Sequence, residues 1–189
     1  MHDEIGANLT RISLLSGIIN SQADEEKNTA SLNQITDSVH ETIEKLDEIV
    51  WAVNPSNDNL KKLTDYISEY AENYFEASEI QCRFSFPESI PEINLSSEKR
   101  HNLFLVIKEA LNNVLKYSQA KRITISLDVG LSFFKITIKD DGKGFCPERI
   151  STTSNGIKNM KERMDLIGGK FEMKSKIGEG TEISIKIFN

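Results

Sequence analysis

The sequence predicts an α+β protein in two parts: an N-terminal helical hairpin, then a mixed sheet with helices on one face. Three observations lead there. Apolar residues recur at helical and heptad spacing through the first fifty-odd residues, a proline at position 55 punctuates them, and segments of period two then alternate with helical stretches. The chain has 189 residues, with 23 Lys+Arg against 29 Asp+Glu, a formal charge of −6, 38% hydrophobic and 28% charged residues. That is a folded, globular composition, and its acidity argues against a nucleic-acid-binding surface. No apolar run approaches the roughly 18 residues of a membrane span. No signal-peptide pattern precedes the first polar residues, and Cys82 and Cys146 form no paired framework, so reduced thiols and a cytoplasmic setting are expected.

Each element follows from its pattern. Ile5, Leu9, Ile12, Leu15 and Ile19 form one stripe of a first helix, which the polar stretch 21–28 breaks. Leu32, Val39, Leu46 and Val53 repeat every seven residues, with Ile35, Thr42 and Ile49 between them, which is the seam of a second helix. A two-helix hairpin cannot bury both stripes alone, so a homodimer forming a four-helix bundle is expected. Pro55 forces Asn54 out of the helical region and marks the boundary between domains 1–56 and 57–189. Leu60, Leu63, Ile67, Tyr70 and Tyr74 predict a helix to about residue 78, and 82–86 alternates as a strand ending at Pro87. Ser97 is the expected cap of a helix over 98–118. Strands follow at 123–127 and 133–139, a helix at 157–167 ending at Gly168-Gly169, and two last strands at 170–176 and 181–188.

Three segments of the second part could carry chemistry. Glu109 and Asn113 are four apart on one helix face, an oxygen-donor pair suited to Mg²⁺, and Lys116 adds positive charge near a phosphate. Asp140-Asp141-Gly142-Lys143-Gly144 follows a strand, where an acidic side chain can accept from an exocyclic amine and glycines allow close backbone approach. Gly156 opens a helix whose free amides suit a phosphate, and Gly178-Glu179-Gly180-Thr181 supplies a second glycine turn. Neither a Walker A loop nor the serine-kinase set is present.

In this order and spacing the chain resembles a sensor histidine kinase with an ATP-binding domain of the GHKL (Bergerat) type, an α/β sandwich. Glu109 to Tyr117 resembles the N box, Asp140-x-Gly142-x-Gly144 the G1 box, Gly156 to Arg163 the G2 region, and Gly178-x-Gly180-Thr181 the final glycine box. His2-Asp3-Glu4-Ile5-Gly6 with Leu9 is similar to the phosphoacceptor box of the subfamily of nitrate-sensing and membrane-fluidity-sensing kinases, and Trp51 to Pro55 to the end of its second helix.

The resemblance implies the following roles. Asp140 accepts from the adenine amino group of ATP. Asn113 holds Mg²⁺, with Glu109 positioning a ligand water. Lys116 touches a phosphate, Gly142, Gly144, Gly180 and Thr181 shape the pocket, and Gly156 opens the helix facing the phosphates. Residues 145–155 form a mobile lid. His2 is the nucleophile and Asp3 its base, and the phosphoryl group passes on to an aspartate of a response regulator. The alternatives are a nucleotide-binding scaffold without autokinase activity, and a GHKL ATPase or anti-sigma-type serine kinase, against which His2 on a helical hairpin argues.

Departures from the family pattern carry their own expectations. Ala7 stands where a Gln commonly assists dephosphorylation of the regulator, so weak or absent phosphatase activity is expected by that route. Asp141 replaces a common Asn, Ser154 a glycine, and Tyr117 a frequent His. Met1 begins inside the helical pattern, so the parent protein is expected to continue upstream into a sensor and membrane helices. ATP binding is then expected to be intact here, and autophosphorylation at His2 impaired by fraying relative to a longer form.

Overall fold

The structure is a computed structural model that describes residues 2–21, 25–147 and 155–188, with side chains over 6–17, 19, 28–147 and 156–188. The chain divides into two compact units, Met1–Val53 and Asn54–Asn189. Among the described residues no helix is long and apolar enough to cross a membrane.

The first unit is a pair of helices packed on each other, α1 (His2–Ser21) and α2 (Glu25–Val53). Ser38 and Thr42 of α2 are buried, and their hydroxyls donate to the carbonyls of Gln34 and Ser38 four residues back, at 2.8 and 2.7 Å. Small polar residues whose hydroxyls are satisfied within their own helix can be buried there at little cost. The larger apolar side chains Leu9, Leu14, Leu32, Ile43, Leu46, Val50 and Val53 are exposed instead.

The second unit opens with a 3₁₀ turn, Pro55–Asn57, closed by the Asn54 side chain accepting from Ser56 N at 3.0 Å. The buried Arg100 guanidinium donates to Asn54 O at 3.1 Å and to Leu95 O at 2.6 Å, tying this turn to the helix that carries Arg100. Helix α3 (Leu60–Phe75) is capped by Asn59, which accepts from Lys62 N at 2.9 Å. Its buried face is Leu60, Leu63, Thr64, Ile67, Ala71 and Phe75. Helix α4 (Ser97–Asn113) is capped by Ser96, whose hydroxyl accepts from Lys99 N, one residue before the Ser97 cap expected from sequence. Beyond Asn113 the chain keeps coiling but widens into a π turn, Val114–Ser118, and leaves it through Gln119 at φ 56°.

The strands are β1 (Gln81–Ser85), β2 (Arg122–Val129), β3 (Phe133–Asp140), β4 (Lys170–Lys176) and β5 (Gly180–Phe188), with α5 (Asn155–Leu166) between β3 and β4. They form one sheet in the order β1-β2-β3-β5-β4, parallel at β1/β2 and antiparallel elsewhere. The pleat sends alternate residues inward. Ile125 pairs with Ile138 and Ile138 with Ile183, while Leu127, Ile136 and Ile185 form a second row, all buried. Leu103, Phe104, Ile107 and Leu111 of α4 and Met160 and Met164 of α5 complete this core. The opposite sheet face is polar, with Lys135 opposite Lys186 and Thr137 opposite Ser184. This is a mixed sheet with helices on one face.

Candidate functional site

A cavity of about 420 Å³ lies where the end of α4, the end of β3, the start of α5 and strands β4 and β5 converge. Helix α4 contributes Glu109 and Asn113 from one face, as their spacing predicts. Asn113 Nδ2 donates to Glu109 Oε1 at 3.4 Å, which leaves the Asn113 carbonyl oxygen as an acceptor. The neighbouring Asn112 faces elsewhere, accepting from the Tyr74 hydroxyl of α3 at 3.1 Å.

Asp140, the last residue of β3, lines the cavity with only 4% of its surface exposed. Its Oδ1 accepts from Gly142 N at 2.9 Å. Burial pushes the carboxyl above its ordinary value, the Asp141 charge adds to the shift, and amide hydrogen bonds from Gly142 and Thr181 oppose it. The same cavity is also lined by apolar side chains, among them Ile157 and Met160 of α5, Met173 of β4 and Ile183 of β5. A recessed carboxylate in a cavity with apolar walls suits a planar heterocycle bearing an amino group.

The glycines let this site close. Gly142 lies against the Ser118 carbonyl and the Asp140 side chain, and Gly180 against the Asp140 carbonyl, so a β-carbon at either would overlap them. Gly144 and Gly180 also take φ values of 56° and 78°, which disfavour any other residue. Lys143 N donates to Ser118 O at 2.8 Å, so the π turn presents its last carbonyl to the glycine loop. Asp141, the departure from Asn, accepts from Lys121 N and Arg122 N, each at 2.9 Å, and fastens the same loop to the start of β2.

Of the residues singled out from sequence, Glu109, Asn113, Asp140, Gly144, Gly156 and Thr181 meet at the cavity. Gly142 and Gly180 stand behind it, supporting Asp140. Lys116 is exposed on the π turn and does not line the cavity, while Tyr117 does. The side chains of His2 and Asp3 lie outside the described residues, as do residues 148–154 of the expected lid. Sequence reasoning passed over Ser118, Lys143 and the apolar walls. Among the described residues there is no cluster of three or more His, Cys, Asp or Glu that could hold a metal by itself.

Residues 98–188 match the family model of the histidine kinase-, DNA gyrase B- and HSP90-like ATPases. Those residues belong to that ATPase family. The ATPase domain contains every residue lining the cavity. Over nearly the whole chain, two sensor histidine kinases of Bacillus subtilis (strain 168) are similar. LiaS is 26% identical over 99% of this chain and 51% of its own length, and YhcY 28% identical over 99% and 48%. The chain thus spans about half the length of these curated relatives. Among solved structures the histidine kinase AdeS of Acinetobacter baumannii shares the fold, with a TM-score of 0.61 at 18% identity over 98% of this chain and 94% of that one.

Proposed function

We propose that this chain is the catalytic core of a two-component sensor histidine kinase, cytoplasmic in its parent protein. It binds ATP with Mg²⁺ in the cavity of the ATPase domain, phosphorylates His2, and passes the phosphoryl group to an aspartate of a response regulator. The observation that carries this reading is the joint placement of a buried Asp140 and of Glu109 and Asn113 of α4 in the lining of one cavity that also has apolar walls. The ATPase family and the sensor-kinase relatives support it.

The residues fit the ligands. Asp140 accepts from the adenine amino group, which no guanine presents at that edge, and Ile157, Met160, Met173 and Ile183 hold the ring. Asn113 Oδ1, with Glu109 beside it, suits Mg²⁺, which takes few protein oxygens and keeps waters and phosphate oxygens. The ion, when bound, offsets the negative charge of the phosphates. The amide end of α5 at Gly156 faces the phosphate chain. A neutral imidazole nitrogen of His2 then attacks the γ-phosphorus in line. The bond to the β,γ-bridging oxygen breaks, ADP leaves, and Asp3 takes the imidazole proton. The exposed apolar stripe of the hairpin supports a homodimer that closes a four-helix bundle.

The test is incubation with γ-labelled ATP and Mg²⁺. Acid-labile, alkali-stable label that disappears in His2→Ala is the expected result. Label that survives His2→Ala overturns the assignment, and ATP binding without any label favours a nucleotide-binding scaffold.

A further inference from the structure

Ser175, in β4, borders the cavity without lining it. Its hydroxyl nevertheless joins the groups that do. Phe145 N donates to Ser175 Oγ at 2.9 Å, Ser175 Oγ can donate to Gly180 O at 3.1 Å, and Ser175 Oγ lies 2.9 Å from Thr181 Oγ1. A serine hydroxyl has one proton to give and two lone pairs to offer. The Phe145 amide fills one lone pair, and the single proton serves Gly180 O or Thr181 Oγ1, so either hydroxyl can donate in the last contact. Both Phe145 and Thr181 line the cavity.

The backbone around Ser175 points the same way. Gly178 N donates to Lys143 O at 2.7 Å, and Gly144, at φ 56°, lies against the Lys176 carbonyl so closely that a β-carbon would overlap it. Lys143, Gly144 and Phe145 are thus held in succession against the β4–β5 turn. The Lys143 and Gly144 contacts are made by backbone, and Ser175 supplies the side chain that holds Phe145.

We infer that Ser175 is a positioning residue for the nucleotide. It fixes Phe145 as a cavity wall and holds the Thr181 hydroxyl. This rests on the cavity being the ATP site. The hydrogen bonds of Ser175 run to Phe145, Gly180 and Thr181, on the proposed base-binding side and not to Glu109 or Asn113, so its loss acts on nucleotide affinity and spares the turnover rate at saturating ATP.

The experiment compares the full chain as wild type, Ser175→Ala and Ser175→Thr, measuring ATP affinity, the dependence of autophosphorylation rate on ATP, and hydrogen exchange at the Phe145 amide. Ser175→Ala is expected to weaken ATP binding about tenfold, the scale of one lost partner for a part-buried amide. The apparent KM should rise to match while kcat holds, and the Phe145 amide should lose its protection. Ser175→Thr, which keeps the hydroxyl, should restore all three. Unchanged affinity in Ser175→Ala overturns the inference, as does a threonine variant no better than alanine. A Phe145 amide that exchanges in the wild type as fast as an unstructured one also overturns it, whatever the variants do. Failure of the wild type to bind ATP overturns the ATP-site reading instead, and the Phe145 exchange result stands apart from it.

Discussion

The Glu109 carboxylate lies against the backbone of Gly156, so that a β-carbon at 156 would overlap Glu109 Oε1. The same oxygen accepts from Asn113 Nδ2. One carboxylate therefore meets both the helix that holds the proposed Mg²⁺ ligand and the first turn of α5. Its carboxyl tip can swing aside, so Gly156→Ala moves Glu109 and leaves the helices in place. Alanine in a helix is favoured over glycine by about 1 kcal/mol. The variant is expected to melt at or above the wild-type temperature. Its autophosphorylation should fall on the order of tenfold to a hundredfold, the cost of misplacing a site group by about 1 Å. Thermal unfolding with labelled ATP checks this, and an unchanged rate would show that Glu109 has no part in the reaction.

Gly180 makes the contrasting case. Its β-carbon would meet the backbone carbonyl of Asp140, and its φ is 78°. Neither can yield without moving β3 against β5. Gly180→Ala is expected to cost roughly 2–4 kcal/mol, combining left-handed strain with a backbone clash. Denaturant unfolding should show a lower midpoint with an unchanged slope. A stability within about 0.5 kcal/mol of wild type, the range of neutral surface changes, would refute the clash.

Asp140 predicts a dependence on pH. Its carboxyl is raised above the ordinary value of 3.8, chiefly by burial and further by Asp141. Over the window from 3.8 up to the raised value the folded state holds more of the proton than the unfolded state. Its contribution to stability is therefore full below 3.8 and is lost as pH rises through that window. Asp140→Asn removes this titration, while the amide oxygen can still accept from Gly142 N. The variant is expected to be at least as stable as wild type at neutral pH and to bind no ATP. Calorimetry of unfolding across pH, with a nucleotide titration, checks both halves. Retained ATP binding would remove Asp140 from adenine recognition.

These sites were unevenly legible in the sequence. The strands were readable because Ile123, Ile125 and Leu127 alternate with polar residues, and α3 because Leu60, Leu63 and Ile67 follow the helical period. Asp140 and its glycines have the composition of an ordinary turn, so what singled Asp140 out was the resemblance carried by the order of the glycine-rich segments. The walls Ile157, Met160, Met173 and Ile183 were not readable, since the residues around a pocket have the same types and periods as the core they continue. Lys116 lies outside the cavity lining for a definite reason. In an α-helix it would follow Asn113 on the same face, but the π turn at Val114–Ser118 winds more residues per turn and rotates it away. Ser175 follows Phe171 and Met173 on the half-buried phase of β4, where the alternation calls for an apolar side chain, so the serine breaks the pattern, but the pattern does not say that its hydroxyl joins Phe145 to Thr181.

The hairpin supplies the last prediction. Leu46, Val50 and Val53 are 45%, 61% and 59% exposed. They lie four and three residues apart, on one face of α2. Burying a leucine or valine side chain is worth about 1.5–3 kcal/mol. Two such residues from each protomer thus supply a large share of a stable association. Leu46→Asp with Val50→Asp places charges where those side chains would be buried, and is expected to weaken the proposed homodimer at least about a hundredfold. Sedimentation should report a monomer at concentrations where the wild type is dimeric. ATP affinity should be retained, because every residue lining the cavity belongs to the unit 54–189. A double variant that sediments as the wild type does would show that this stripe is not the dimer seam. One that also loses ATP binding would show that the nucleotide site depends on the hairpin.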